Sequence, residues 1–233
     1  MSGAGSGPAR AACLVLALVA AGLWLAVTLN GGAAAPWLLA KVAAMPLLAG
    51  FVALSRSPGG GLVAAALVVQ GAGDLLLELA FLAGVAAFLL GHLLYLGAFW
   101  PRRNALDEIA GGTKLAVGAL ALLAAGFLAI LAPRLRGAQA IAIPLYVAAL
   151  AAMVAAAWWV GRGRPWVPIG ASLFLLSDAL LGLELFAGGA PGGRALIWPL
   201  YVGGQVAIAA GWTRPVEAPG DRGADGHRRV GPE

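Results

Sequence analysis

The chain has 233 residues, of which 61% are hydrophobic and 11% are charged, whereas about 25% of the residues in a soluble domain are charged. This composition excludes an ordinary soluble domain, and apolar runs of roughly 20 residues match the length of a membrane-spanning helix. A transmembrane barrel would show alternating segments of about 10 residues, and the sequence contains none. We therefore predict an all-α, polytopic membrane helix bundle.

The net charge of +5 does not indicate a nucleic-acid partner, because the basic residues fall at the ends of apolar runs and form no stripe with aromatic residues. The single cysteine, Cys13, excludes an intrachain disulfide and a cysteine metal cluster. Of the two histidines, only His92 lies in an apolar run, since His227 is near the C-terminus. We predict neither a metal site nor a cofactor.

Eight apolar runs, separated by turn-forming glycine, proline and asparagine residues, predict eight spans. They cover residues 11–29, 36–54, 62–81, 83–100, 114–132, 138–160, 167–187 and 195–212. Residues 1–10 are predicted to form a short N-terminal segment, residues 11–212 the transmembrane domain and residues 213–233 a disordered tail. The first run also resembles a secretion signal, but its length of about 19 residues exceeds the 7–15 of a signal core, so we favour a retained span.

Lysine and arginine residues are distributed unequally between the two ends of the predicted spans. Eleven lie on the side shared by the N-terminus, the even-numbered loops and the tail, three lie on the opposite side, and Lys41 lies inside the second span. The positive-inside rule therefore predicts cytoplasmic N- and C-termini for an integral protein of the plasma or inner membrane.

A weak internal repeat relates the two halves of the chain. Asp74 in the third span corresponds to Asp178 in the seventh, and Pro46 in the second span corresponds to Pro144 in the sixth. Spans that are offset by four share an orientation, so the pattern predicts a parallel 4+4 repeat. The alternative is chance similarity between segments rich in leucine and alanine.

The apolar stretch of residues 70–95 carries Asp74, Glu78, His92 and Tyr95. Asp74 and Glu78 are four residues apart, and His92 and Tyr95 are three apart, so each pair shares one helical face. Charged groups at membrane depth cost several kcal/mol unless they are paired or hydrated. These residues are therefore candidates for a functional site.

A second polar set follows in the last two predicted spans. Asp178 lies in the seventh span, and Tyr201 and Gln205 lie in the eighth. The predicted orientation allows one depth in the outer half of the membrane for a set of five residues. They are Asp74, Asp178, His92, Tyr201 and Lys41, which lies near the outer start of the second span. A shared depth is a necessary condition for one site.

Each candidate also has a purely structural interpretation. Glu78 and Lys41 can reach the head-group region from the ends of their spans. His92 can be an interhelical hydrogen-bond donor, while Tyr95 and Tyr201 can belong to the interfacial aromatic belt. The two aspartates are harder to explain in this way, because both are flanked by apolar residues well inside their spans.

Two buried carboxyl groups suit acid–base chemistry. Burial favours the neutral form of a carboxyl group, and a second carboxylate nearby favours it further, so that one group is protonated while its partner is ionised. This is the requirement for a paired general acid and general base. A serine triad is less consistent with the sequence, because there is no G-x-S-x-G motif.

Short motifs that contain these residues follow one another along residues 36–212. They are K-x-x-x-M-P-L-L at 41–48, G-D at 73–74, G-x-x-x-F-x-x-x-H-x-x-Y at 84–95, S-D at 177–178 and Y-x-x-x-Q at 201–205. Their order and spacing resemble the YhhN-like lysoplasmalogenase family. Val42 stands where many members have proline, a difference that bears on the local bend of the second span.

The resemblance implies a membrane hydrolase that cleaves the vinyl ether bond of lysoplasmalogen into a fatty aldehyde and glycerophosphoethanolamine or glycerophosphocholine, without a cofactor. Its partners would be the lysophospholipid substrate and membrane lipids. The catalytic residues implied are Asp74, Asp178, His92 and Tyr95. The substrate-binding residues implied are Lys41, Glu78, Ser177, Tyr201 and Gln205.

In this interpretation the two aspartates are the acid and the base, in an order that the sequence leaves open. His92 and Tyr95 support proton transfer, Tyr201 and Gln205 position water or the glycerol hydroxyl group, and Lys41 meets the phosphate. Two other classes of function remain open: a proton-coupled or lipid transporter, and a membrane protein whose acids only hold helices together. The oligomeric state is also open.

Overall fold

The computed structural model describes residues 6–31, 35–102, 111–160, 163–189 and 193–215, and these residues form eight α-helices and no β-strand. The helices are α1 (Ser6–Leu29), α2 (Ala35–Ala53), α3 (Gly60–Leu79), α4 (Phe81–Phe99), α5 (Gly111–Leu131), α6 (Gln139–Val160), α7 (Trp166–Phe186) and α8 (Arg194–Thr213). Each corresponds to a predicted span, and the largest difference is at α1, which begins at Ser6 rather than at residue 11. The predicted disordered tail lies outside the described residues from position 216 onward.

The helices have the length and composition of membrane spans. Among the described residues, seven helices are long and apolar enough to cross a bilayer, while the apolar stretch Leu38–Ala53 of α2 is shorter. The chain is therefore an integral membrane protein with a polytopic helical bundle, as predicted. The eighth span and the 4+4 repeat remain predictions.

Tight connections and close helix contacts hold the bundle together. A single extended residue, Ala80, joins α3 to α4. The backbones of α7 and α8 touch at Gly170 and Gly204, where an added Cβ atom at either glycine would lie 2.5–2.7 Å from the carbonyl oxygen of the other. Small residues allow such close approach between membrane helices.

The helices differ in how deeply they are packed. Helix α8 packs against α7 and also against α1, α2 and α3, whereas α5 contacts mainly α6 and α7. In α5 only Leu120 and Leu131 are buried. The well-packed part of the bundle therefore contains the buried polar residues of α3, α4, α7 and α8, and α5 covers one side of it. These buried residues include Gln70, Asp74, His92, Ser177 and Gln205.

Candidate functional site

Asp74 is held by a tyrosine from another helix. It lies on α3 with only 4% of its surface exposed, and the hydroxyl group of Tyr201 on α8 donates a 3.1 Å hydrogen bond to its Oδ2 atom. A buried carboxyl group needs such a partner, because leaving it unsatisfied costs about 1–3 kcal/mol or more.

Asp178 has an equivalent partner on a different helix. The hydroxyl group of Tyr146 on α6 donates a hydrogen bond to Oδ2 of Asp178 on α7. Asp178 is only partly buried. Asp178 and Asp74 lie within electrostatic range of each other, so the two pairs belong to one neighbourhood.

All four residues lie at a similar depth. Measured along the helix axes, Asp74 and Asp178 lie about 18–21 Å from the starts of α3 and α7. Tyr146 and Tyr201 lie about 18–21 Å before the ends of α6 and α8. Because successive helices run in opposite directions, these starts and ends belong to the same end of the bundle, where α1 begins. The two pairs therefore share a level in the bundle.

Tyr146 was missing from the predicted site, although the sequence contains a signal for it. The same four residues, P-L-Y-V, occur at 144–147 in α6 and at 199–202 in α8. Each proline lies inside its helix, where it removes one backbone hydrogen bond. Each tyrosine two residues later donates to one of the aspartates, so this repeated motif marks both donors.

His92 lies beside Tyr146 in the core. Its ring centroid is 5.0 Å from that of Tyr146 and 5.2 Å from that of Phe174, and the side chain is fully buried. Neither ring nitrogen has a hydrogen-bond partner in the part of the chain that the structure describes. Since a neutral imidazole carries one donor and one acceptor, His92 retains the capacity to bind water or to move a proton.

Tyr95 and Gln205 form a separate network nearer the end of the bundle where α1 begins. The hydroxyl group of Tyr95 donates a 2.6 Å hydrogen bond to Oε1 of Gln205, whose Nε2 donates to Oε1 of Gln70. All three side chains are fully buried. Gly91 makes room for them, because an added Cβ atom there would lie 2.6 Å from the Gln70 side chain. The structure thus brings Tyr95 and Gln205 to each other and to Gln70.

Lys41 and Glu78 form an ion pair beside Asp74. The Nζ atom of Lys41 is 2.7 Å from Oε1 of Glu78, which is half exposed, and 5.3 Å from the ring centroid of Trp24. Both charges lie within electrostatic range of Asp74. Ser177 points elsewhere, since its hydroxyl group donates a 2.9 Å hydrogen bond to the carbonyl oxygen of Ile197 on α8.

A cavity of about 570 Å³ opens between α5, α6 and α7 and reaches the α3–α4 turn. Among its described lining residues, only Ser172, Asp178 and Tyr146 carry polar side-chain atoms. Phe88 also lines the cavity, and its ring packs against Gly73 and lies 6.0 Å from the ring of Tyr201. Phe88 therefore stands between the cavity and the Asp74–Tyr201 pair.

The arrangement offers a carboxyl group to an apolar ligand. One acid lies in the cavity wall, and a second acid and a lysine lie behind it. Within the described ranges, no group of three or more His, Cys, Asp and Glu side chains could hold a metal ion. The chemistry available from these side chains is proton transfer and stabilisation of positive charge.

Fold and site together define a polytopic helical membrane protein with a carboxylate-bearing apolar cavity. The YhhN family model matches residues 37–212, so the chain belongs to the YhhN family. The resemblance predicted from the sequence motifs is thereby confirmed.

Similar curated proteins carry one functional name. A protein of Mycobacterium bovis named lysoplasmalogenase is 34% identical over 167 residues, covering 68% of this chain and 63% of that protein. Lysoplasmalogenase TMEM86B of Homo sapiens is 34% identical over 182 residues, covering 74% of each chain. Lysoplasmalogenase TMEM86A of Bos taurus is 32% identical over 138 residues, covering 55% and 54%. The match thus spans less than two thirds of the mycobacterial protein, and no solved structure matches the chain.

Proposed function

We propose that this protein hydrolyses the vinyl ether bond of a lysoplasmalogen, releasing a fatty aldehyde and glycerophosphoethanolamine or glycerophosphocholine. The observation that carries the proposal is the Asp178–Tyr146 pair in the wall of an otherwise apolar cavity. A lysoplasmalogen joins a long alkenyl chain to an acid-labile bond, and this cavity offers a place for both. The names of the similar proteins support the same activity.

The proposed reaction begins with the transfer of a proton from an acid to carbon. Protonation of the β-carbon of the vinyl ether converts the double bond into an oxocarbenium ion. Water then adds to the cationic α-carbon and loses a proton, which gives a hemiacetal. The hemiacetal collapses to the aldehyde, and the glycerol oxygen leaves as a hydroxyl group. One proton donor and one carboxylate are sufficient for these steps.

The geometry supports different roles for the two aspartates. Asp178 is the proposed proton donor, because it lines the cavity in which the alkenyl chain would lie. Asp74, which lies behind Phe88 and within electrostatic range of Lys41, is the proposed carboxylate that stabilises the cation through its charge and accepts the proton of the attacking water through an intervening water molecule. Tyr146 orients Asp178, and His92, which touches Tyr146, supports proton transfer.

The remaining predicted residues take supporting roles in this proposal. Tyr201 orients Asp74, and Lys41 with Glu78 provides charge at the edge of the site. The other three predicted residues support the helices around the site through hydrogen bonds. Tyr95 bonds to Gln205, and Ser177 bonds to the backbone of α8. The cytoplasmic position of both termini, predicted from the arginine and lysine distribution, would place the site in the outer half of the membrane.

The test is aldehyde release from lysoplasmenylethanolamine by the purified protein in detergent, with a chelator present. The matched controls are the 1-alkyl lysolipid, which has no double bond to protonate, and the 1-acyl lysolipid, which has an ester instead. We expect aldehyde only from the vinyl ether. Equal cleavage of the ester, or no aldehyde from folded protein, would contradict the proposal.

A further inference from the structure

Three arginine side chains from separate segments contact the last turn of α8, at the end of the bundle where α1 begins, and a fourth, which follows α8, lies over the ring of Trp166 at the start of α7. They form what we call the arginine cluster, consisting of Arg10, Arg102, Arg164 and Arg214. Tyr201 lies on the same helix as the cluster's contact residue Thr213, and the axial distance between them is about 18 Å. The cluster is therefore well separated from the carboxylate pairs.

Two of the guanidinium groups lie on one indole ring. The Cζ atoms of Arg164 and Arg102 are 4.8 Å and 5.3 Å from the ring centroid of Trp212. Arg164 also donates hydrogen bonds to the carbonyl oxygens of Gly211 and Trp212, and Arg102 donates to that of Ala98 at 3.1 Å. Capping of helix ends by cations therefore explains part of the arrangement.

Helix capping does not account for every N–H donor in this region. A guanidinium group has five N–H donors, and among the described residues the buried Nε of Arg10 and Nε1 of Trp212 have no hydrogen-bond partner. Burial and the nearby charge of Arg102 both lower the pKa of Arg164. Among the described residues, the cluster therefore combines positive charge with unpaired N–H donors, an arrangement that favours an anion.

The protein's own described carboxylates do not neutralise the cluster. They are Asp74, Glu78, Asp178 and Glu184, and all four lie in the later part of α3 or α7, away from the end where these helices begin. Glu78 forms its ion pair with Lys41 instead. Within the described ranges, the cluster therefore has no carboxylate as a counter-charge.

We propose that the arginine cluster binds a phosphate group, carried either by an anionic phospholipid or by free inorganic phosphate. Guanidinium groups match phosphate oxygens with paired, charge-assisted hydrogen bonds. The cluster also lies at the ends of membrane-spanning helices, where lipid phosphates are found. It is separate from the site of hydrolysis, and its test does not depend on the proposed activity.

The test is thermal unfolding of the full-length protein in a neutral detergent. Added phosphatidylglycerol is compared with phosphatidylcholine, and inorganic phosphate is compared with chloride at equal ionic strength. A rise in Tm on the order of 5 °C with phosphatidylglycerol identifies a lipid ligand, and the same rise with phosphate identifies the free ion. No rise in either comparison overturns the proposal.

Variants separate anion binding from helix capping. Arg102→Gln and Arg164→Gln are expected to reduce the anion-dependent rise by half or more. Arg136→Gln is the matched control, because Arg136 also donates to carbonyl oxygens, those of Pro133 at 2.7 Å and Leu135 at 3.0 Å, but at the opposite end of the bundle. It should keep the full rise.

A full rise in the two cluster variants, whatever their basal Tm, would show that the arginines only cap helices. If either glutamine variant does not fold, Arg102→Lys keeps the charge but loses the paired geometry and is expected to show a smaller rise. The absence of any rise in the wild-type protein would overturn the proposal independently of every variant.

Discussion

Two carboxylate–tyrosine pairs lie at one depth in the bundle, yet their surroundings differ. Asp178 and Tyr146 stand in the wall of an apolar cavity. Asp74 and Tyr201 are buried behind Phe88, in a neighbourhood that contains a lysine. The P-L-Y-V motif thus supplies the tyrosine of both pairs. One pair lies beside apolar space, and the other lies near charged side chains.

This difference would allow the same pair of residue types, an aspartate and a tyrosine, to serve as the acid in one place and as the base in the other. A carboxyl group in an apolar wall can approach a hydrocarbon chain, whereas one that is enclosed among polar side chains acts through its charge and through water. Environments that separate two titratable groups in this way assign the acid and base roles. The following predictions test whether the two pairs differ in function as they differ in surroundings.

Neutralising the aspartates should have the largest effect. Asp178→Asn and Asp74→Asn are each expected to lower kcat for aldehyde release by on the order of 10³-fold, because each removes one half of the acid–base pair. Asparagine still accepts the tyrosine hydrogen bond, so Tm should change little. Glu184→Gln in α7 is the control. Near-normal turnover by a folded aspartate variant would disprove the two-carboxylate mechanism.

Removing the tyrosine hydroxyl groups should separate the two pairs. Tyr146→Phe is expected to lower kcat by roughly 10–100-fold with little change in stability, because the cavity leaves Asp178 partly exposed. Tyr201→Phe should instead reduce the free energy of unfolding by about 1–3 kcal/mol, because it leaves Asp74 buried without its donor. Turnover assays and thermal unfolding of both variants measure the contrast. Equal changes of kcat and of unfolding free energy in the two variants would contradict a functional difference between the two pairs.

Narrowing the cavity should weaken only the binding of the alkenyl chain beside Asp178. An added Cβ atom at Gly182 would lie 2.5 Å from the Phe127 ring, so Gly182→Ala should displace the ring and raise KM for long alkenyl chains about tenfold. Short chains should be affected less. Gly118→Ala on α5 is the control, because a Cβ atom there meets open space and Gly118 does not line the cavity. An unchanged chain-length profile would show that the chain lies elsewhere.

The ion pair beside Asp74 should give the smallest effect. Glu78 is half exposed, and such pairs contribute about 0–1 kcal/mol, so Glu78→Gln should hardly change the Tm. Lys41→Gln is expected to lower kcat by a few-fold, since it removes a positive charge near Asp74. The Tm of Glu78→Gln and the kcat of Lys41→Gln are each measured at low and at high salt. A Tm loss as large as that of Tyr201→Phe would show that the pair supports the fold.

The class of protein and most of the helix positions follow from the amino-acid sequence. Hydrocarbon thickness sets the length of a spanning helix, and glycine- and proline-rich breaks mark where each helix ends, so apolar runs and turn residues were sufficient. Asp74, Asp178 and His92 were recognisable because polar groups inside an apolar run are costly. The motif order also identified the family, because it does not depend on packing.

Which side chains contact each other depends instead on how the helices pack. The spacing within a helix does not say which face packs against which neighbour, so Tyr146 was overlooked, and Tyr95 was expected near the aspartates although it bonds to Gln205. The cavity beside Asp178 arises from the loose packing of α5, and the shielding of Asp74 arises from Phe88. Both result from contacts between residues far apart in the chain, which local periodicity does not encode.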